Sequence, residues 1–254
     1  MTDQNWYGLV LNDYRVVLPL PVKRKFLGLL QVSRAPFTQQ SGPFGAIQPV
    51  ELTQLLSALP RRVLRLDLPL RESVDTNHIP GGFNVFRRTN LLLNLSSPLE
   101  EIRAGYGKTL RKKLRRYEKG GLTEVTTAEV ISIYQTSAGK KAGLNEHHYR
   151  LIKQLIDACR QHIKGHLLGY QNESGELLAA GFFPVHNGRI INLFGSSTLA
   201  GYRKDGMARL LDAVIEKYRG PDTILDFEGS DLPGVRDFFK SFGAQNSPYP
   251  RIQR

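Results

Sequence analysis

The chain has 254 residues, 41% of them apolar and 9% aromatic, which is enough for one large core or two smaller ones and excludes a disordered chain. Its longest apolar stretches, such as Leu177 to Val185, fall short of the roughly 20 residues that cross a bilayer as a helix, and the opening from Met1 to Trp6 lacks the regions of a secretory leader, so a cytoplasmic location is expected. The formal net charge is +12, and half of it lies between Glu101 and Gly120, where eight Lys or Arg stand against Glu101 and Glu118.

In chain order, Tyr7–Leu11, Val16–Pro21 and Leu27–Val32 read as a strand meander. Pro and Gly then mark a loop from Arg34 to Gly45, in which Thr38, Gln39 and Gln40 offer polar side chains as a substrate rim would. Pro49 opens a helix with Val50, Leu52, Leu55, Leu56 and Leu59 on one side, and Pro60 closes it. Strands are expected at Val63–Leu68 and Asn90–Leu95, with the stretch between Pro69 and Gly82 left unassigned.

A helix is expected from about Tyr106 to Lys119. Tyr106, Leu110, Leu114 and Tyr117 share one arc, while Lys108, Arg111, Lys112 and Arg115 form a basic face suited to an anion, an RNA backbone or acidic lipid. A strand at Leu122–Thr126 and helices at Ala128–Tyr134 and His148–Ile163 follow. Three strands come next, at Leu167–Gln171, Leu177–Val185 and Arg189–Gly195, the last two joined through Asn187-Gly188, a hairpin signal. A helix at Gly206–Tyr218, a strand at Thr223–Phe227 and a helix at Pro233–Ser241 complete the pattern.

Two clusters carry candidate chemistry. Arg203, Lys204, Asp205, Gly206, Met207 and Ala208 open a helix, where unpaired amides and the positive dipole end can hold a diphosphate, the two small residues permit close approach and the bases add charge. Asp226 and Glu228 fall on one face of a strand end, where close like charges raise the pKa of at least one and suit it to proton removal from an amine. Tyr202, just before the loop, is a candidate acid for a leaving group. Cys159 sits at core spacing, and His162 and His166 lack a third ligand nearby, so no metal is expected.

Four segments resemble the FemABX (FemX-like) peptidyltransferases and their Bacteroidetes relatives within the GNAT superfamily. They are Val17–Leu20 with Ala35–Gly42, Arg88–Leu95 with Lys108–Leu122, the loop at Arg203–Ala208, and Asp226–Ser230 with Phe238–Gly243. The resemblance implies an α/β (α+β) architecture of two tandem GNAT-like modules, with mixed, mostly antiparallel sheets flanked by helices and an abbreviated first module. The expected division is 1–117, ending in the basic helix, and 118–254, carrying the cofactor loop. It further implies transfer of an acyl or aminoacyl group to a small-molecule or peptide amine, entering a cleft between the modules. Ser230 joins Thr38, Gln39 and Gln40 as an expected substrate contact. FemX-like enzymes take their donor from aminoacyl-tRNA. The Arg-x-x-Gly-x-Ala spelling favours acetyl-CoA or another acyl-CoA, with the phosphates on the 203–208 loop, Glu228 as first base and Asp226 as second. Aminoacyl-tRNA gripped by the basic helix is the alternative. The second alternative is a non-catalytic binder of nucleic acid or of an anionic surface, acidic lipid included.

Overall fold

The computed structural model describes residues 5–116, 120–229 and 231–254. The chain runs through β1 (Asn5–Leu11), β2 (Val16–Arg24), β3 (Leu30–Ser33), α1 (Pro49–Ser57), β4 (Val63–Pro69) and β5 (Asn84–Arg88). It continues through β6 (Leu91–Asn94), α2 (Leu99–Ala104), α3 (Lys108–Arg115), β7 (Gly120–Glu124), α4 (Thr127–Thr136), α5 (Ala138–Lys141) and α6 (Glu146–His162). Then come β8 (Lys164–Asn172), β9 (Leu177–His186), β10 (Arg189–Ile191), β11 (Phe194–Ser197), α7 (Leu199–Arg203), α8 (Gly206–Tyr218), β12 (Ile224–Asp226), α9 (Pro233–Lys240), β13 (Gln245–Asn246) and β14 (Tyr249–Gln253). The fold is α/β, with two mostly antiparallel sheets flanked by helices, and it divides into two compact units.

The first unit comprises residues 5–90 together with Ser247–Arg254. Its sheet has the order β1-β2-β3-β4-β14-β5, antiparallel except where β3 meets β4. α1 makes that parallel crossover. Pro49 at its first position and the Gln48/Glu51 capping box start the helix, and Leu52, Leu55 and Leu56 give it a buried face. They pack on Val16, Leu18, Leu20 and Val22, which alternate along β2 and point to one side. Each such buried side chain contributes about 1.5–3 kcal/mol of transfer free energy.

The second unit is Leu91–Asn246. Its sheet runs β13-β6-β12-β10-β9-β8-β7, with β11 also paired to β9. β9 is buried from Leu178 to Pro184, so it reads as a continuous apolar run rather than an alternating one. Leu210, Leu211, Val214 and Ile215 of α8 are fully buried in a core that includes Phe183, Phe227, Phe239 and Phe242. Asn187 and Gly188 adopt the positive φ values that a tight hairpin needs.

Several boundaries differ from expectation. The junction expected at 117/118 lies outside the described residues, but α3 before it and β7 after it both belong to the second unit. Leu110 and Leu114 of α3 and Leu122 of β7 join its core, so the basic helix is part of the second unit, not the end of the first. The helix expected from about Tyr106 begins at Lys108 and is preceded by a separate helix, α2, because the chain breaks between Gly105 and Gly107. There Gly107 N–H donates to Ser241 O at 2.7 Å, and Tyr106 turns inward to donate from its hydroxyl to Asp212 Oδ1 at 3.0 Å. β14, unforeseen, inserts between β4 and β5 of the first sheet and brings Ile252 into its core.

The first unit therefore needs a strand from the far end of the chain. Arg251 on β14 clamps Asp67 on β4 with two hydrogen bonds. That guanidinium holds the Asp67 carboxyl below the usual carboxylate range, against the opposing effect of partial burial. A depressed native pKa gives stabilisation that is full above about pH 4 and lost as pH falls through the native value. Asp67→Asn is accordingly expected to flatten the acid limb of the stability profile. Ile252→Ala should cost about 2–5 kcal/mol at all pH values, seen in denaturant titration as early loss of the first unit.

Candidate functional site

The strand expected at Arg189–Gly195 is two strands, and the break opens the larger sheet. β10 pairs parallel with β12 through Arg189↔Ile224, Ile190↔Leu225 and Ile191↔Asp226, and the contact ends with Asn192 N–H donating to Asp226 O at 2.8 Å. Beyond that bond the two sides separate. β11 stays with β9, while Phe227 N–H donates to Leu91 O on β6. The notch so formed holds Asn192, whose Oδ1 is buried and accepts no hydrogen bond. A Cβ at Gly195 would stand 3.1 Å from that oxygen, so a side chain at this position would crowd it. A buried acceptor without a donor costs about 1–3 kcal/mol unless a water or a ligand N–H or O–H meets it.

The two carboxylates at the end of β12 have different environments. Asp226 is 2% exposed, lies 3.0 Å from Arg189 Nε and accepts from Glu228 N–H at 2.7 Å. Its charge holds the strand end together. Glu228 is half-buried and adopts φ +60°, a strained left-handed conformation for this residue that turns it out of the strand line. Its charge reaches Tyr134 on α4, and burial, the Tyr149 hydroxyl and Glu228 together push the Tyr134 hydroxyl up. Tyr134 also meets Phe194 of β11 edge-on, with ring centroids 5.8 Å apart. On the same side, Ser137 Oγ donates to Ser196 Oγ at 2.8 Å, and Ser196 Oγ lies 3.4 Å from the hydroxyl of Tyr202, which is half exposed under Lys141.

The 203–208 segment is more closed than its spelling suggests. α7 ends at Arg203 and α8 begins at Gly206, leaving a two-residue link. Lys204 N–H donates to Ala200 O and Gly201 O, and Met207 N–H donates to Ser197 Oγ at 3.1 Å. Gly206 serves the sheet, because a Cβ there would stand 2.7 Å from Leu178 O on β9. Lys204 Nζ pairs with Glu176 at 2.8 Å and Asp205 with Lys113 at 2.9 Å, while Ala208 is buried in the core. The open cradle expected for a diphosphate is thus a packed link whose donors at Lys204 and Met207 are already engaged.

Arg209, not anticipated, binds this link to the basic helix. Its side chain is buried and donates to Lys204 O at 3.3 Å and to Lys113 O and Leu114 O at 3.4 and 3.3 Å. The last carbonyls of α3 are capped in this way. Lys108, Arg111, Lys112 and Arg115 remain on the exposed side of α3, with Arg111 also donating to Ala104 O. Arg111 and Arg115 border a cavity of about 770 Å³ with Tyr106, Tyr170 and Arg103, whose guanidinium is held by Asp212 and Glu216.

Of the expected substrate contacts, Ser230 lies outside the described residues. Thr38, Gln39 and Gln40 belong to the first unit and engage its own atoms. Gln39 Nε2 donates to Asn90 Oδ1 at 2.9 Å, Gln40 Oε1 accepts from Glu72 N–H at 3.0 Å, and Thr38 N–H donates to Ala35 O. Among the described residues no group of three His, Cys, Asp or Glu could hold a metal, and no helix is long and apolar enough to cross a membrane.

No protein-family model and no curated protein matches the sequence. Solved structures do resemble the fold. FemX superimposes with a TM-score of 0.66 at 13% identity, covering 98% of this chain and 88% of FemX. The C-terminal domain of a putative lysylphosphatidylglycerol synthetase from Agrobacterium fabrum gives 0.62 at 12% identity, over 98% and 84% of the two chains. L-PGS from Bacillus licheniformis gives 0.54 at 14%, over 98% and 83%. The fold is therefore of the kind seen in FemX and in the lysylphosphatidylglycerol synthetase domain, in keeping with the resemblance carried by the four sequence segments.

If Asn192 is held for a ligand rather than for the fold, Asn192→Leu should raise stability by about 1 kcal/mol, because it removes a stranded acceptor while keeping the volume. The same change should abolish any transfer activity. Thermal melting beside an activity assay checks both signs.

Proposed function

We propose that the chain is an acyl-transfer enzyme that moves an aminoacyl group from an RNA ester to an amine at the notch between β11 and β12. The observation that carries the choice of donor is that the amides of Lys204 and Met207 are already engaged within the protein, which weakens the 203–208 link as a cradle for a CoA diphosphate. The exposed cations of α3 offer a track for a phosphate backbone instead, and the FemX-like fold is compatible with an aminoacyl-tRNA donor.

Glu228 takes the proton from the attacking amine, whose nitrogen forms the new bond to the ester carbonyl carbon. As the carbon–oxygen bond to the ribose breaks, the leaving oxygen needs a proton more than a thiolate would. Tyr134 supplies it, since a tyrosine phenol is protonated through the neutral range and burial pushes this one further up. Asn192 Oδ1 accepts from the donor or the incoming amine and orients it. Asp226 stays charged against Arg189 and holds Glu228 in place through the backbone N–H. Tyr202, beside Ser196, is a second proton source on the same side.

Transfer from a mixture of labelled aminoacyl-tRNAs to amine acceptors should occur and be abolished by ribonuclease. Glu228→Gln should lower it by about 10²–10⁴-fold with the melting curve unchanged. Lys112→Glu with Arg115→Glu should weaken RNA binding and flatten its salt dependence. Ribonuclease-resistant transfer from acetyl-CoA, together with thermal stabilisation by CoA, would instead establish the thioester donor. RNA binding with no transfer from any donor would leave only a non-catalytic binder.

A further inference from the structure

One end of the six-stranded sheet carries an exposed patch that the transfer reaction does not use. Between β2 and β3 a short turn at Phe26–Gly28 presents Phe26 and Leu27 with 84% and 81% of their surface exposed. Leu27 has φ +57°, a conformation that leucine disfavours, and it packs against no core. The β1–β2 register sets Trp6 opposite Pro21 and Tyr7 opposite Leu20, so both aromatics stand at this end of the sheet.

Cations gather at the same place. Lys23, Arg24 and Lys25 lead into the turn, and Leu30 N–H donates to Arg62 O, which brings Arg61 and Arg62 alongside. Arg24 donates to the Tyr7 hydroxyl at 3.2 Å, and the charges of Arg24 and Arg62 draw the Tyr7 hydroxyl down. Between Tyr14 and Leu66 the sequence has a single acid, Glu51, and Arg15 takes it.

We infer that this end of the first unit is a docking surface for an anionic lipid bilayer. Phe26 and Leu27 enter the acyl boundary, Trp6 and Tyr7 lie at headgroup depth, and Lys23, Arg24, Lys25, Arg61 and Arg62 meet the lipid phosphates. Charge complementarity selects this occupant. A second copy of the chain would bring the same cations against each other. A single-stranded RNA would use flat aromatic platforms and gain nothing from a leucine at a projecting tip.

Trp6 is the only tryptophan in the chain, so its fluorescence reports on the patch alone. With vesicles of phosphatidylcholine and phosphatidylglycerol, the parent protein should co-sediment, its emission should shift to the blue, and brominated acyl chains should quench it. Vesicles of phosphatidylcholine alone should do none of this. Phe26→Ser with Leu27→Asn should lower binding roughly tenfold or more without lowering the melting temperature, since asparagine accepts the left-handed turn. Lys25→Gln and Arg61→Gln, which leave Leu27 alone, should each lower binding about fivefold, and they carry the test should the double variant melt early. Vesicle binding that the double variant retains, or that leaves Trp6 emission unchanged, would overturn the inference. So would preference for an RNA oligonucleotide at this patch, or a Trp6 shift that follows protein concentration without lipid. Because no donor or acceptor is present, these outcomes are independent of the transfer reaction.

Discussion

One hydrogen bond, from Asn192 N–H to Asp226 O, decides where the larger sheet stops being continuous. Up to that bond β10 and β12 behave as an ordinary parallel pair. After it, β11 is committed to β9 and the continuation of β12 to β6, so the two strands part. A parting strand pair leaves backbone and side-chain polar groups facing a gap, and such groups are costly unless water or a ligand meets them. The surrounding arrangement follows from that constraint. The ion pair between Asp226 and Arg189 keeps the end of β12 from fraying, and the left-handed turn at Glu228 takes its carboxylate out of the strand line into the field of Tyr134.

The link between α7 and α8 shows how one residue type can serve two purposes that spelling alone does not separate. Gly206 and Gly201 both lie so close to the carbonyl of Leu178 that no side chain fits, which is a demand of packing helix on sheet. Ser197, reaching back from β11, then takes the Met207 amide. Arg209 ties the link to α3, so the basic helix and the start of α8 form one connected piece. Charges near this piece are mostly spent on neighbours: Lys113 on Asp205, Lys204 on Glu176, and Arg103 on Asp212 and Glu216. Lys108, Arg111, Lys112 and Arg115 on α3 and Arg203 at the end of α7 are exposed.

Much of the architecture was legible in the sequence because its long elements have clear periods. The helical spacing of α1, α6 and α8 and the Asn187-Gly188 hairpin gave those elements directly, and four short segments were enough for the FemX-like resemblance. What escaped did so for identifiable reasons. The run from Ile190 to Gly195 is apolar apart from Asn192, so nothing in its pattern announced that the strand changes partners there. The polar residue itself, flanked by Ile191 and Leu193, was the available signal. Arg209, set among Met207, Ala208, Leu210 and Leu211, was the available signal for a buried charge on α8. β5 has no alternation, with exposed Val85 and Phe86, and β14 contains Pro250 and Arg251, so neither reads as a strand. Tyr134 was seen only as the last residue of a helix, since its relation to Glu228 is made by the fold and not by spacing.

The position of β14 bears on how the protein comes into being. Asp67 and its partner Arg251 are 184 residues apart, and the strand that completes the first sheet is translated only after the whole of the second unit. Domains usually fold in the order in which they emerge from the ribosome. Here the earliest segment must wait with a gap between β4 and β5 while the later unit closes first. During that interval its unfilled strand edges are open to strands of other chains, a hazard for which the basic, nearly acid-free stretch from Tyr14 to Leu66 supplies mutual repulsion between nascent copies.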